Sequence, residues 1–234
     1  MHILTRSDQI NLPKMIREGQ VDGVILVGIF KTEFIQLIQK QNLHVVLVDP
    51  KLMMNDCSQI LIDNEQGGFA MTQYLIERGH RHIGFISGDL QRLSFQQRYN
   101  GYIKALNHYN ICADESLIVT GGIEKGYELV KTLLQNKDVT AIFSANDINA
   151  IYGYKAISEL NMKVPDDISM VGFDDIDMAK YATPPLTTVR VYKEELGSLA
   201  VRHIFWAIRT ETPLPETTVV PVRIIERESV RSLI

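Results

Sequence analysis

Hydrophobic and polar positions along the chain follow two periods in alternation. Short apolar runs such as VILV, HVVLV, QILI, HIGFIS and SMVGF are continuous rather than alternating. Between them lie segments of helical length with one apolar stripe each. The pattern predicts strands at residues 2–5, 24–27, 44–48, 59–62, 82–87, 117–120, 141–145, 169–173 and 187–191, then a β-rich stretch at 218–225. It predicts helices at 12–18, 31–41, 66–77, 95–109, 123–135, 148–160 and 194–209. In the last helix Leu196, Ala200, Ile204 and Ile208 recur at helical spacing. Strands buried on both faces read as continuous apolar runs, so the expected fold is α/β, with mainly parallel sheets covered by helices on both sides. Repeats, low-complexity tracts and long linkers are absent from the sequence.

At 234 residues the chain has room for one large domain or two small ones. Lys and Arg number 24 and Asp and Glu 28, a formal charge of −4, with no basic face in the pattern. This weighs against DNA binding by these residues alone. The densest basic cluster, Arg78, His80, Arg81 and His82, falls in a helix-to-strand turn. Its histidines read as solvated or capping side chains rather than metal ligands. Two cysteines, Cys57 and Cys112, form neither a disulfide framework nor a zinc motif. No apolar run approaches the ~20 residues that span a bilayer. The start MHILTRSDQ lacks a signal-peptide pattern, so the expected location is cytoplasmic.

Short polar residues recur just past the carboxyl ends of the expected strands: Asp49, Asp63 with Asn64, Gly88 with Asp89, Asn146 with Asp147, and Asp174 with Asp175. Open α/β sheets bind ligands at that rim. Asp and Asn also cap the following helix, and that alternative stands for each position taken singly. Carboxylates offer acceptors, the Asn amide offers both roles, and Arg98 adds a rigid donor fork. Such a set suits vicinal hydroxyls or a purine edge.

It does not compose a catalytic site. There is no nucleophile elbow, no phosphate-binding glycine loop and no dinucleotide fingerprint. Asp174 and Asp175 are adjacent at a strand end and point in different directions, which argues against an acid/base dyad. An enzyme is not expected, and neither a metal nor a cofactor.

Several blocks resemble the LacI/GalR family of bacterial repressors in order and spacing. They are VDGVILVG, LVDP, ILIDNEQGG, YLIERGHRHIGFISGD and RYNGYIKAL, followed by AIFSANDINAIYGYKAISELNMKVPDDISMVGFDD and PPLTTVRV. The resemblance implies two type I periplasmic-binding-protein-like subdomains around a ligand cleft, with three chain crossings near 88–92, 191–192 and 216–219. The implied division is 1–89 plus 192–217 and 90–191 plus 218–234. It implies effector contacts from Arg98, Asn146 and Asp174, with Asp49 and Asp63 lining or bordering the same cleft. An aromatic residue is also implied in the pocket, and Phe173 is adjacent to Asp174 although its strand direction points it toward the core.

The implied function is effector sensing for a dimeric repressor. The effector would be a small polar molecule, a sugar or polyol above all, with a purine as the other class. Operator DNA would be bound only through a headpiece outside this chain, and no membrane partner is implied. The chain departs from the family by lacking that headpiece, and it enters at the family's second strand, residues 2–5. A sugar-binding protein of a transport system, with the same fold, is the alternative reading.

Overall fold

The computed structural model describes residues 12–135, 138–210 and 214–234. The strand expected at 2–5 lies outside them. The chain divides into two compact units, Met1–Ile62 with Tyr192–Val220 and Asp63–Val191 with Pro221–Ile234.

The first unit contains α1 (Lys14–Arg17), β1 (Gly23–Val27), α2 (Thr32–Gln39), β2 (His44–Val48), β3 (Ser58–Ile62), α8 (Lys193–Arg209) and β9 (Thr217–Val220). Among the described residues its strands form one parallel sheet in the order β1-β2-β3-β9. Phe34, Ile35 and Ile38 of α2 pack with Leu26 and Leu47 into its core. Helix α8 turns Leu196, Ala200, Ile204 and Ala207 inward. Ile208, expected on that stripe, is exposed, and Ala207 takes the inward place. Ile204 lies so close to Gly23 that an added Cβ there would come within 2.8 Å of it. A glycine at the start of β1 therefore sets how tightly α8 seats on this sheet.

The second unit contains α3 (Asn64–Glu77), β4 (Ile83–Ser87), α4 (Leu93–His108), β5 (Ile118–Thr120), α5 (Gly126–Leu133), β6 (Ala141–Ser144), α6 (Asp147–Glu159), β7 (Ser169–Asp174), α7 (Asp177–Tyr181), β8 (Thr187–Arg190) and β10 (Arg223–Ile225). The sheet order is β10-β8-β7-β6-β4-β5, parallel except for β10 against β8. Strands β4 and β6 are buried along their whole length, as their unbroken apolar runs require. Phe85 stacks on Tyr102 and meets Phe143 edge-on. The Tyr102 hydroxyl, carried into this core, donates to the Ile83 carbonyl at 2.8 Å.

Three sequence expectations need correction here. The first crossing falls between Ile62 and Asp63, not near Gly88–Arg92, because β4 pairs with β5 and β6 and α3 packs on α4. The stretch 218–225 is two strands in two sheets. Thr217–Val220 pairs with β3, Arg223–Ile225 pairs with β8, and Pro221, which has no N–H to give a ladder, stands between them. His80 is buried rather than solvated, with Nδ1 3.0 Å from Thr140 Oγ1 and Nε2 3.1 Å from the Arg231 carbonyl. Burial pushes its pKa down, so the neutral ring donates through Nε2 to that carbonyl.

The segment after β10 runs back along the sheet. Ser229 donates through Oγ to the Met170 carbonyl and accepts from the Thr187 N–H. The Leu233 N–H donates to the Arg78 carbonyl at 2.8 Å. These bonds tie β7, β8 and the end of α3 into one frame.

Candidate functional site

The second sheet reverses its winding at β4, whose neighbours are β5 on one side and β6 on the other. The carboxyl ends of strands at such a reversal are where open α/β sheets leave a crevice. Arg98 is placed there by α4. Its helix lies unusually close to α3, because Gly68 faces the Arg98 carbonyl and Gly101 faces the Glu65 carbonyl with no space for a Cβ at either. Any side chain at those positions would push α4, and Arg98 with it, away from α3.

Arg98 is only 3% exposed. Nε donates to Asn64 Oδ1 at 2.8 Å and Nη1 to the Ala145 carbonyl at 2.6 Å. Nη2 forms an ion pair with Asp174 Oδ1 at 3.0 Å. The guanidinium carbon stands 3.7 Å from the centre of the Phe173 ring. A buried guanidinium without such partners would cost several kcal/mol. Two of its five N–H groups donate hydrogen bonds, from Nε and Nη1, and Nη2 meets Asp174 as an ion pair. Phe173 itself is fully buried, so its ring face serves as a platform under Arg98.

Asp174 is the outward partner, with its side chain 30% exposed. It ends β7 at φ 111°, and Asp175 follows at φ 48°. Consecutive L residues in the left-handed region cost about 1–3 kcal/mol each, so the surrounding contacts must hold this turn in place. Asp175 Oδ1 accepts from Arg227 Nη2 and Oδ2 from Arg190 Nε, both at 2.6 Å. Burial alone would raise the Asp175 pKa, but these two arginines hold it below the usual carboxylate range.

Asp147, the first residue of α6, supports the same turn from below. Its Oδ2 accepts the Ile176 N–H at 2.9 Å and its Oδ1 the Thr188 hydroxyl at 2.5 Å. Gly172 of β7 lies against Oδ1 with no space for a Cβ. Burial, and then the charge of Asp174, push the Asp147 pKa up to about 7.

The other expected residues have these places. Asn146 caps α6, its Oδ1 accepting the Asn149 N–H at 2.7 Å. It borders the site through Ala145, whose carbonyl holds Arg98. Asp63 caps α3 by accepting from the Gln66 N–H, and the next residue, Asn64, is the one that reaches Arg98. Asp49 belongs to the first unit, at the end of β2, with φ 47° and its N–H donating to the Ile60 carbonyl. The structure thus brings Arg98 and Asp174 into contact, puts Asn146 beside them as a cap and leaves Asp63 one residue from them.

Sequence reasoning missed Asn64 as an Arg98 partner, along with Asp147 and Ser94. Ser94 lies one helical turn before Arg98, and its buried Oγ has no partner among the described residues. The i, i+4 spacing of Ser94 and Arg98 was the available signal. The first unit carries a separate cavity of about 370 Å³ beyond β1 and β2, lined by Gly28, Phe30, Lys31, Pro50 and Lys51 among others. It holds none of the expected residues.

A family model described as a periplasmic binding protein-like domain matches residues 72–230. The HTH-type transcriptional repressor PurR of Mannheimia succiniciproducens is 32% identical over 225 residues, which are 94% of this chain and 67% of that protein. The repressor of the same name from Yersinia enterocolitica is 35% identical over 222 residues, 92% of this chain and 65% of its own length. The chain therefore spans about two thirds of the length of these curated relatives. Among solved structures, the complex of the transcriptional regulator CelR with cellobiose superposes with a TM-score of 0.89 at 29% identity, covering 96% of this chain and 71% of that one. A LacI-family regulator from Enterococcus faecium with bound ribose gives 0.84 at 27% identity, covering 94% and 84%. Two parallel-sheet units in this order and these matches over nearly the whole chain lead to one assignment: the chain belongs to the periplasmic-binding-protein-like effector-binding domains of the LacI/GalR family of transcriptional regulators.

Proposed function

We propose that this domain binds a small neutral sugar through Arg98 and Asp174. In this reading sugar occupancy controls operator binding by a dimeric, cytoplasmic repressor whose DNA-binding headpiece lies outside these residues. The observation that carries the reading is the charge balance of the pair. Arg98 is already neutralised by Asp174, so the site offers a donor edge beside an acceptor edge rather than free positive charge. Adjacent hydroxyls of a sugar present the complementary donor and acceptor. A phosphorylated sugar would require uncompensated cations, and Arg190 and Arg227 are both engaged by Asp175. Solved relatives with cellobiose and with ribose bound support the same ligand class.

The domain is read as a sensor, not an enzyme, because its curated relatives are repressors. No helix among the described residues is long and apolar enough to cross a membrane. Asp49, Asp63 and Asn146 remain proposed as residues that line or border the binding cleft.

A thermal-shift screen of the 234-residue chain against ribose, cellobiose, their phosphorylated forms and guanine tests the reading. A ligand that binds only the folded state raises Tm by mass action. The expected result is a rise with a neutral sugar that Asp174→Asn abolishes. Stabilisation by a phosphosugar but not its parent, or by guanine alone, overturns the sugar assignment.

A further inference from the structure

The Asp147 carboxyl is fully buried, yet it contacts no ligand-facing atom of the pair. Its two oxygens reach two different elements. Oδ1 takes the hydroxyl of Thr188 on β8, and Oδ2 takes the backbone N–H of Ile176, two residues past Asp174. Gly172 leaves the space that the carboxyl fills. Such a buried group is more than packing, because the turn it holds is strained at both Asp174 and Asp175. Arg98 on Asp174, and Arg190 with Arg227 on Asp175, are the other side-chain holds on that turn among the described residues.

We propose that Asp147 is a positioning residue whose proton sets the geometry of the site. Ionised, its oxygens form charge-assisted bonds that draw Ile176 and the turn down onto α6. Protonated, the carboxyl turns its one O–H toward Thr188 Oγ, and Ile176 keeps only a neutral acceptor. The turn relaxes, and the Asp174 carboxylate shifts against Arg98. The proton moves between solvent and Asp147 and no bond other than O–H changes.

The charged groups that face Asp147 are few. From β7 and the turn come Asp174 and Asp175, both of which disfavour its ionisation. Arg98 from α4 is paired with Asp174, and Arg190 from β8 and Arg227 after β10 are paired with Asp175, so no arginine is left to neutralise Asp147. Tyr154, on α6 itself, donates to the Pro184 carbonyl and stays neutral, its pKa raised by burial. The helix N-terminus and the Thr188 hydroxyl favour the ionised form. The balance places the proton transition near neutrality, where a cell's own pH range reaches it.

The inference rests on the reading of Arg98 and Asp174 as the binding pair, but its test needs no effector. The isotope-labelled chain is titrated by NMR between about pH 5 and pH 9. The expected result is a single transition near pH 7 shared by the Asp147 carboxyl carbon and the Ile176 amide. In Asp147→Asn, which keeps an acceptor for Ile176 and a donor for Thr188, the Ile176 transition is expected to vanish while the spectrum stays that of a folded protein. Thr188→Val removes a bond to the ionised form, and the midpoint should rise. The inference is overturned if the Ile176 amide is flat across the range, if its transition survives Asp147→Asn, or if Thr188→Val leaves the midpoint in place. Should Asp147→Asn not fold, the wild-type and Thr188→Val titrations decide. Failure of ribose and cellobiose to bind would remove the sugar reading and leave this titration unaffected.

Discussion

Asp174 and Asp175 are neighbours in sequence at the end of one strand, yet they sit in opposite circumstances. The Asp174 side chain is 30% exposed and meets a single arginine that is itself anchored by Asn64, Ala145 and Phe173. The Asp175 side chain is 3% exposed and is held by two arginines from segments far away in sequence. One carboxylate has an oxygen available to a hydroxyl, and the other has both oxygens engaged. The difference shows how one strand end gives adjacent carboxylates two settings: the left-handed turn leaves one partly exposed beside Arg98 and buries the other between two arginines.

Substitutions sharpen that contrast. Asp175→Ala should have the largest effect, a loss of roughly 3 kcal/mol in unfolding free energy, since Arg227 would be left buried without its carboxylate. Chemical denaturation measures it, and a loss under about 0.5 kcal/mol would show that the cluster is ornamental.

The next effect concerns pH. Asp147 binds its proton near pH 7 when folded and in the ordinary carboxylate range when unfolded. The folded state therefore holds the extra proton between those values, and stability from this group is present in full at the lower end. It should fall by up to a few kcal/mol as pH rises toward about 7, then level off. Asp147→Asn should flatten that slope in denaturation curves collected across pH.

Asp174→Asn keeps an acceptor beside Arg98 but removes its counter-charge, so it should cost some stability, less than Asp175→Ala, and weaken binding of ribose or cellobiose, whichever registers, by about 2 kcal/mol, roughly thirtyfold by calorimetry. If it instead destabilised the fold as much as Asp175→Ala, the two carboxylates would not differ in role. The smallest effect is expected from Asp167→Ala. Asp167 accepts only the Lys163 N–H in an exposed turn, so stability should change by less than about 1 kcal/mol and sugar binding not at all.

What the sequence revealed follows the range of each interaction. Continuous apolar runs gave away the parallel strands, and Arg98 and Asp174 were legible through their motif blocks. Asn146 and Asp63 were ambiguous between ligand and cap, and the structure shows both capping, because the first free N–H groups of a helix are always within reach of such a side chain. Asp147 lay next to Asn146 in the same motif, but nothing local indicates that its oxygens meet Thr188 and Ile176, 41 and 29 residues away. Arg227 carried no signal at all, since its partner Asp175 is 52 residues distant. The first domain boundary was misplaced for a related reason. Residues 63–89 read as one more strand–helix repeat, and only pairing of β4 with β6 shows which sheet claims them.

The two arginines on Asp175 have one more property. Arg190 is the last residue of β8, just before the chain leaves this unit at Val191, and Arg227 lies shortly after it re-enters at Pro221. Asp175 thus works as a clasp across the two ends of the excursion that builds α8 and β9. The residue that holds both ends is joined by one peptide bond to Asp174. The two connectors are therefore fixed to this unit one residue from the carboxylate that pairs with Arg98.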